Sequence, residues 1–102
     1  MDTLRLPAEL SIYTAASLHP QWLAWVSQVP EAGGDVCVDG SPVDVVDAAG
    51  VQLLLALQHS LTVRGCMLKI GEPSHPLQQA CAALGLATWL NERQPLPCQE
   101  TP

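Results

Sequence analysis

Val46-Asp47-Ala48-Ala49-Gly50-Val51-Gln52-Leu53-Leu54-Leu55 passes from one periodicity into another. Before it, Val43, Val45 and Val46 lead from the turn at Gly40-Ser41-Pro42 into Asp47. After it, from Ala49 to Val63, the period is helical, with Leu54, Leu57 and Leu61 on the core face and Val51 and Leu53 beside them. Asp47 stands at the junction, where a carboxylate can accept the open N–H groups of a first helical turn and face the positive end of the helix. Gly50 suits a close approach of this helix to a sheet, and a lone glycine does not make a phosphate loop. Gly65 follows the last periodic residue, where a left-handed backbone is wanted.

Working outward toward the C-terminus, Met67, Leu68 and Ile70 read as a buried strand. Ser74-His75-Pro76 opens a further helix, with Pro76 as its first residue. Leu77, Ala80, Cys81 and Leu84 share the inner face of that helix, and Gly85 closes it. Leu86, Trp89 and Leu90 pack as a final turn. From Asn91 the chain is polar with three prolines, so the expected division is a domain over residues 1–90 and a tail over 91–102.

Toward the N-terminus, Val36-Cys37-Val38 lies between Asp35 and Asp39 as a nearly continuous apolar run, which predicts a strand covered on both faces. Gly40-Ser41-Pro42 makes the turn after it. Leu18, Trp22, Trp25, Val26 and Val29 fall on one helical face. Pro20 is tolerated in a first turn, which predicts Ser17 as N-cap, and Pro30, Gly33 and Gly34 end the helix. Leu4 and Leu6, then Leu10 and Ile12, alternate as two short strands with Ser11 and Tyr13 outward. Strands and helices alternating in this way predict an α/β sandwich on a mainly parallel sheet of four to five strands, with three to four helices.

Composition narrows the function. The chain has 102 residues, enough for one modest core, with 48% apolar and 14% charged side chains. Four basic residues against ten acidic give a net charge of −6. That excludes the clustered basic surface of a nucleic-acid binder and gives no attraction to anionic lipid. A protein partner with a basic or apolar surface is expected instead. Cys37, Cys66, Cys81 and Cys98 have neither paired nor metal-type spacing, and the first three sit within apolar runs, as small buried hydrophobes do. Free thiols, a cytoplasmic location, and neither signal peptide nor membrane span are expected, since the longest apolar stretch, Val51 to Leu57, is short and interrupted by Gln52.

The element order and four stretches of sequence resemble the STAS domain, the sulphate transporter and anti-sigma-factor antagonist family, over about residues 3–90. The stretches are Leu10-Ser11-Ile12-Tyr13-Thr14-Ala15-Ala16, Val36-Cys37-Val38-Asp39, residues 46–55 quoted above, and Pro73 to Leu86 with its closing Leu-Gly-Leu. The resemblance implies a non-catalytic module that works by binding another protein. The partner would be a kinase-like anti-sigma factor, a chemotaxis-type histidine kinase, or the ABC-transporter ATPase of a lipid transporter, and the opening of the chain looks most like the chemotaxis-associated subgroup. In antagonists of this family a Ser or Thr directly after the Asp at the head of the second helix is phosphorylated. Here that position is Ala48, which has no hydroxyl.

The expected docking surface is the loop from Ser41 to Asp47, including Asp44, continued by Ala48 and by an outward stripe of Gln52, Leu55 and His59. Asp47 serves as a cap with or without a role at the interface. His19, His59 and His75 lie on three separate elements without chelating spacing, so no metal is expected, and no cofactor motif is present. A small acid–base enzyme using Asp44 and Asp47 is the catalytic alternative, but two acids beside N–H donors should simply ionise.

Overall fold

Leu4 and Leu6 bracket the exposed Arg5, and that alternation begins the first strand of the computed structural model, which describes residues 4–31 and 33–94. The elements are β1 (Leu4–Arg5), β2 (Glu9–Leu10), α1 (Ile12–Val26), β3 (Gly34–Asp39), β4 (Val45–Val46), α2 (Ala48–Val63), β5 (Cys66–Gly71), α3 (His75–Ala83) and α4 (Ala87–Arg93). All pairings are parallel: β1-β3-β5 form one sheet and β2-β4 a second. The second sheet continues the first after a break. Leu4 lies opposite Val38 before it and Glu9 opposite Val45 after it, so two extra residues bulge out on the β3–β4 side. Ala8 bridges the gap by accepting the N–H groups of Asp44 (2.7 Å) and Val45 (2.9 Å).

The sheet has one covered face. Val38, Cys66, Leu68 and Ile70 are buried against the helices, whereas Asp35, Cys37 and Met67 on the opposite side are exposed. This corrects the expectation that β3 is covered on both faces. With exposed Asp35 and half-buried Asp39 around it, Cys37 takes the outward position of a one-sided strand, as the period of two demands. Of the three cysteines read as buried, only Cys66 and Cys81 are.

Helix α1 starts six residues earlier than Pro20 suggested. Ser11, not Ser17, is the N-cap: its Oγ accepts the N–H of Tyr13 (3.1 Å), and the Ser11 N–H donates to Thr14 Oγ1 (3.0 Å). Ile12 and Tyr13 therefore belong to the first turn of α1 and not to a strand. Pro20 sits in the helix interior, an arrangement that costs about 3 kcal/mol through the missing N–H and the clash with the carbonyl four residues back. Ala16 and Pro20 are both exposed, so that carbonyl can turn to water. The buried Trp22 and Val26 hold the helix on the core.

Helix α2 follows the expected phase. Val51, Leu54, Leu57 and Leu61 are almost fully buried, and Gly65, at φ +76°, ends it. Helix α4 is longer than the single turn expected and reaches Arg93, past the boundary drawn at residue 90. It is pinned by buried Leu90 and by Trp89, whose Nε1 donates to Gln58 Oε1 on α2 at 2.7 Å. The remainder of the expected tail lies outside the described residues, as does Cys98.

Candidate functional site

The starts of α1 and α2 meet at one carboxylate. Val46 pairs with Leu10, and the next N–H, that of Asp47, donates to the Leu10 carbonyl at 3.1 Å, so the parallel ladder delivers both chains side by side to their helices. Asp47 Oδ1 accepts the N–H of Gly50 at 3.0 Å and caps α2. Its Oδ2 accepts the N–H of Ile12 at 3.1 Å and so takes an open donor of α1. The two N–H groups, Ile12 first and then Gly50, hold the Asp47 carboxyl below its ordinary value of 3.8. Asp47 therefore stays ionised at neutral pH, with its two carboxylate oxygens accepting N–H groups from the two helix starts.

Gly50 allows this junction. A Cβ added there would stand 2.0 Å from the Leu10 carbonyl oxygen, so α2 crosses β2 at a distance only glycine permits. The close approach expected from the sequence is met, and its partner is β2.

Around the junction the surface is apolar and open. Ile12 is 63% and Tyr13 88% exposed, and Ala48, the first residue of α2, is exposed beside them. Between α1 and α2 runs a shallow groove of about 420 Å³, lined by Ile12, Ala16 and His19 on one side and Ala49, Gln52 and Ala56 on the other, with Leu53 among its lining. The sequence reading missed Ile12 and Tyr13 because it carried the strand alternation past Leu10. The Ser11-x-x-Thr14 spacing of a helix start was the signal that could have found them.

Asp47, Ala48 and Gln52 come together at the outer start of α2, with Asp44 exposed just before β4. Ser41 belongs to a separate turn, where its N–H (3.0 Å) and Oγ (2.7 Å) both donate to Asp39 Oδ1. His59 is exposed but lies three turns along α2 from Ala48, about 16 Å by helical rise. Leu55 is half-buried, so the outward stripe drawn through Gln52, Leu55 and His59 is corrected: the exposed line passes through Gln52, Ala56 and His59. Position 55 is turned toward the core by one residue step of about 100° from 56.

Among the described residues, no group of three or more His, Cys, Asp or Glu side chains is placed to hold a metal ion. No helix among them is long and apolar enough to cross a membrane.

A one-sided parallel sheet whose bulged strands present two joined helix starts to solvent defines a small α/β domain. A family profile described as Mlab, STAS domain matches residues 1–92, and the chain belongs to the STAS domain family. No curated protein matches the chain. STAS domains are in general non-catalytic binding modules, and membership supports a regulatory module resembling the anti-sigma-factor antagonists.

Proposed function

We propose that this protein is a non-catalytic, cytoplasmic regulatory module that docks on a kinase-like or sensor protein through the joined starts of α1 and α2. The observation that carries the reading is Ala48. It is exposed at the head of α2, directly after a capping Asp47, and the resemblance to the antagonists equates this position with their phosphoacceptor. A methyl group there accepts no phosphate, so the protein stays in the form that corresponds to the unphosphorylated, binding-competent state. Binding occupies the partner's surface, and dissociation frees it. Likeness of the opening residues to the chemotaxis-associated subgroup supports a histidine-kinase complex as the partner.

The same missing hydroxyl supports a second reading, a constitutive STAS subunit that stabilises the ATPase of an ABC-type lipid transporter. A module that cannot be switched at this site suits permanent assembly. Genomic neighbours separate the two: sigma-factor or chemotaxis genes favour the regulator, and transporter genes the subunit. The docking point itself is tested by Ala48→Glu. A carboxylate desolvated at the interface without a counter-charge should abolish partner capture while the fold survives.

A further inference from the structure

The groove between α1 and α2 begins at the docking point and leads away from it, and the distribution of charge around it is one-sided. At its head stand Glu9, whose Oε2 accepts the Ser11 hydroxyl proton at 2.6 Å, and Asp47. The four basic side chains of the sequence are all placed elsewhere. Arg5 pairs with Asp39 on the first sheet (3.5 Å), and the Arg64 guanidinium donates to the Val29 carbonyl beyond the far end of α1. Lys69 reaches the Glu92 carbonyl, and Arg93 lies over the Trp89 ring.

The lining is mostly apolar, with His19 and Gln52 as its polar side chains. Ala15, Ala16, Ala49 and Ala56 leave room for side chains from outside, and Ile12 flanks the entrance with most of its surface open to water. Such a trough accepts the apolar stripe of a helix. Its acidic head rewards Lys or Arg on the same helix and repels Asp or Glu.

We infer that this groove receives an amphipathic helix of the partner protein, whose small apolar face fills the trough and whose Lys or Arg side chains meet Glu9 and Asp47 at the head of α1. The inference rests on the proposed function and specifies which part of the partner the module grips. Charge complementarity selects this occupant over a second copy of the chain, since a net charge of −6 makes two copies repel.

Two synthetic amphipathic helical peptides with the same Leu/Ala face test it, one with Lys and Arg on its polar face and the other with Glu. In an amide-shift titration of the whole chain, the basic peptide should perturb Ile12, Ala16, Ala49, Gln52 and Ala56 and bind at least tenfold more tightly than the acidic one. Ala56→Trp, which fills the groove from an exposed position, should weaken the basic peptide at least tenfold without lowering the melting temperature. Ala16→Trp gives an independent second block. Glu9→Gln should reduce the salt dependence of binding. Equal binding of both peptides, binding of neither, or shifts mapped to the open face of the sheet or to α3 and α4 would overturn the assignment. If Ala48→Glu nevertheless lost the native partner, the groove assignment would fall while the binding-module reading stood. If the peptide mapped to the groove but Ala48→Glu kept its partner, the reverse would hold.

Discussion

Replacing Gly50 by Ala is the substitution whose sign separates this account from simple helix propensity. Alanine in a helix interior is ordinarily favoured over glycine by about 0.5–1 kcal/mol. At position 50 the new Cβ would stand 2.0 Å from the Leu10 carbonyl oxygen, 2.5 Å from its carbon and 2.8 Å from its Cβ. Two of these atoms are backbone of a strand paired with β4, so they cannot swing aside as a side-chain tip would. Ordinary contact begins at 3.4 Å, so α2 and β2 must part by about 1.4 Å. Overpacking of this kind costs about 1–3 kcal/mol, occasionally more, and outweighs the propensity gain. With about 4–8 °C of melting temperature per kcal/mol in a domain of this size, the expected loss is on the order of 10 °C. Thermal unfolding followed by circular dichroism measures it, with the exposed Gln52→Ala as a control that should melt near the wild type. The same parting should weaken the Asp47 bond to the Ile12 N–H, so that amide should exchange faster with solvent. A Gly50→Ala protein that melts at or above the wild-type temperature would refute the close crossing of α2 and β2.

Stability should fall with acid in a manner that depends on Asp47. Its folded pKa lies below 3.8, so the unfolded chain binds the proton first; the stabilisation is full above that value and is lost as pH falls through the folded pKa. Melting temperature against pH should therefore drop less steeply below 3.8 in Asp47→Asn than in the wild type, and parallel curves would count against the two-helix cap. Thiol labelling without denaturant, in a Cys98→Ser background, should find Cys37 fast and Cys66 and Cys81 slow, the Cys81 thiol being both buried and pushed up in pKa by that burial. A background in which all three react together would contradict the one-sided sheet. Leu54→Asp puts an unpaired charge at a fully buried site and should abolish cooperative folding, while Gln52→Asp, one turn beyond Ala48 on the exposed side, should melt near the wild type. Leu55→Asp, half-buried, should fall between them, and an order other than this would show the phase of α2 to be wrong.

The central part of the fold was legible because its signals are local. Leu54, Leu57 and Leu61 share a face through helical spacing alone, and Asp47 and Gly65 bound the helix by their own chemistry. Errors arose where long-range geometry decides. Whether Cys37 points into a second layer depends on how many helices cover the sheet, and an apolar run of three residues does not encode that. Pro20 was read as a first-turn residue because its cost in a helix interior is large. The burial of Trp22 and Val26, the Ser11–Thr14 cap and the Asp47 bond to Ile12 offset that cost, and the last of these joins residues 35 apart in sequence. For the site, Asp47 and Ala48 were visible beside each other, and the Ser11-Thr14 spacing marked Ile12 and Tyr13 as a helix start, but that this start lies against Asp47 follows only from the pairing of β2 with β4. Leu55 was misplaced by one helical step, which is enough to turn a side chain from solvent toward the core.

The claim that the start of α2 is the docking surface is tested most directly by quantitative capture of partners from the native host with tagged wild-type and Ala48→Glu proteins, each checked for folding by its melting temperature. The account predicts that both proteins melt alike and that one kinase-like, sensor or transporter-ATPase protein enriched by the wild type is lost by the variant. Undiminished capture by a folded Ala48→Glu protein would contradict it.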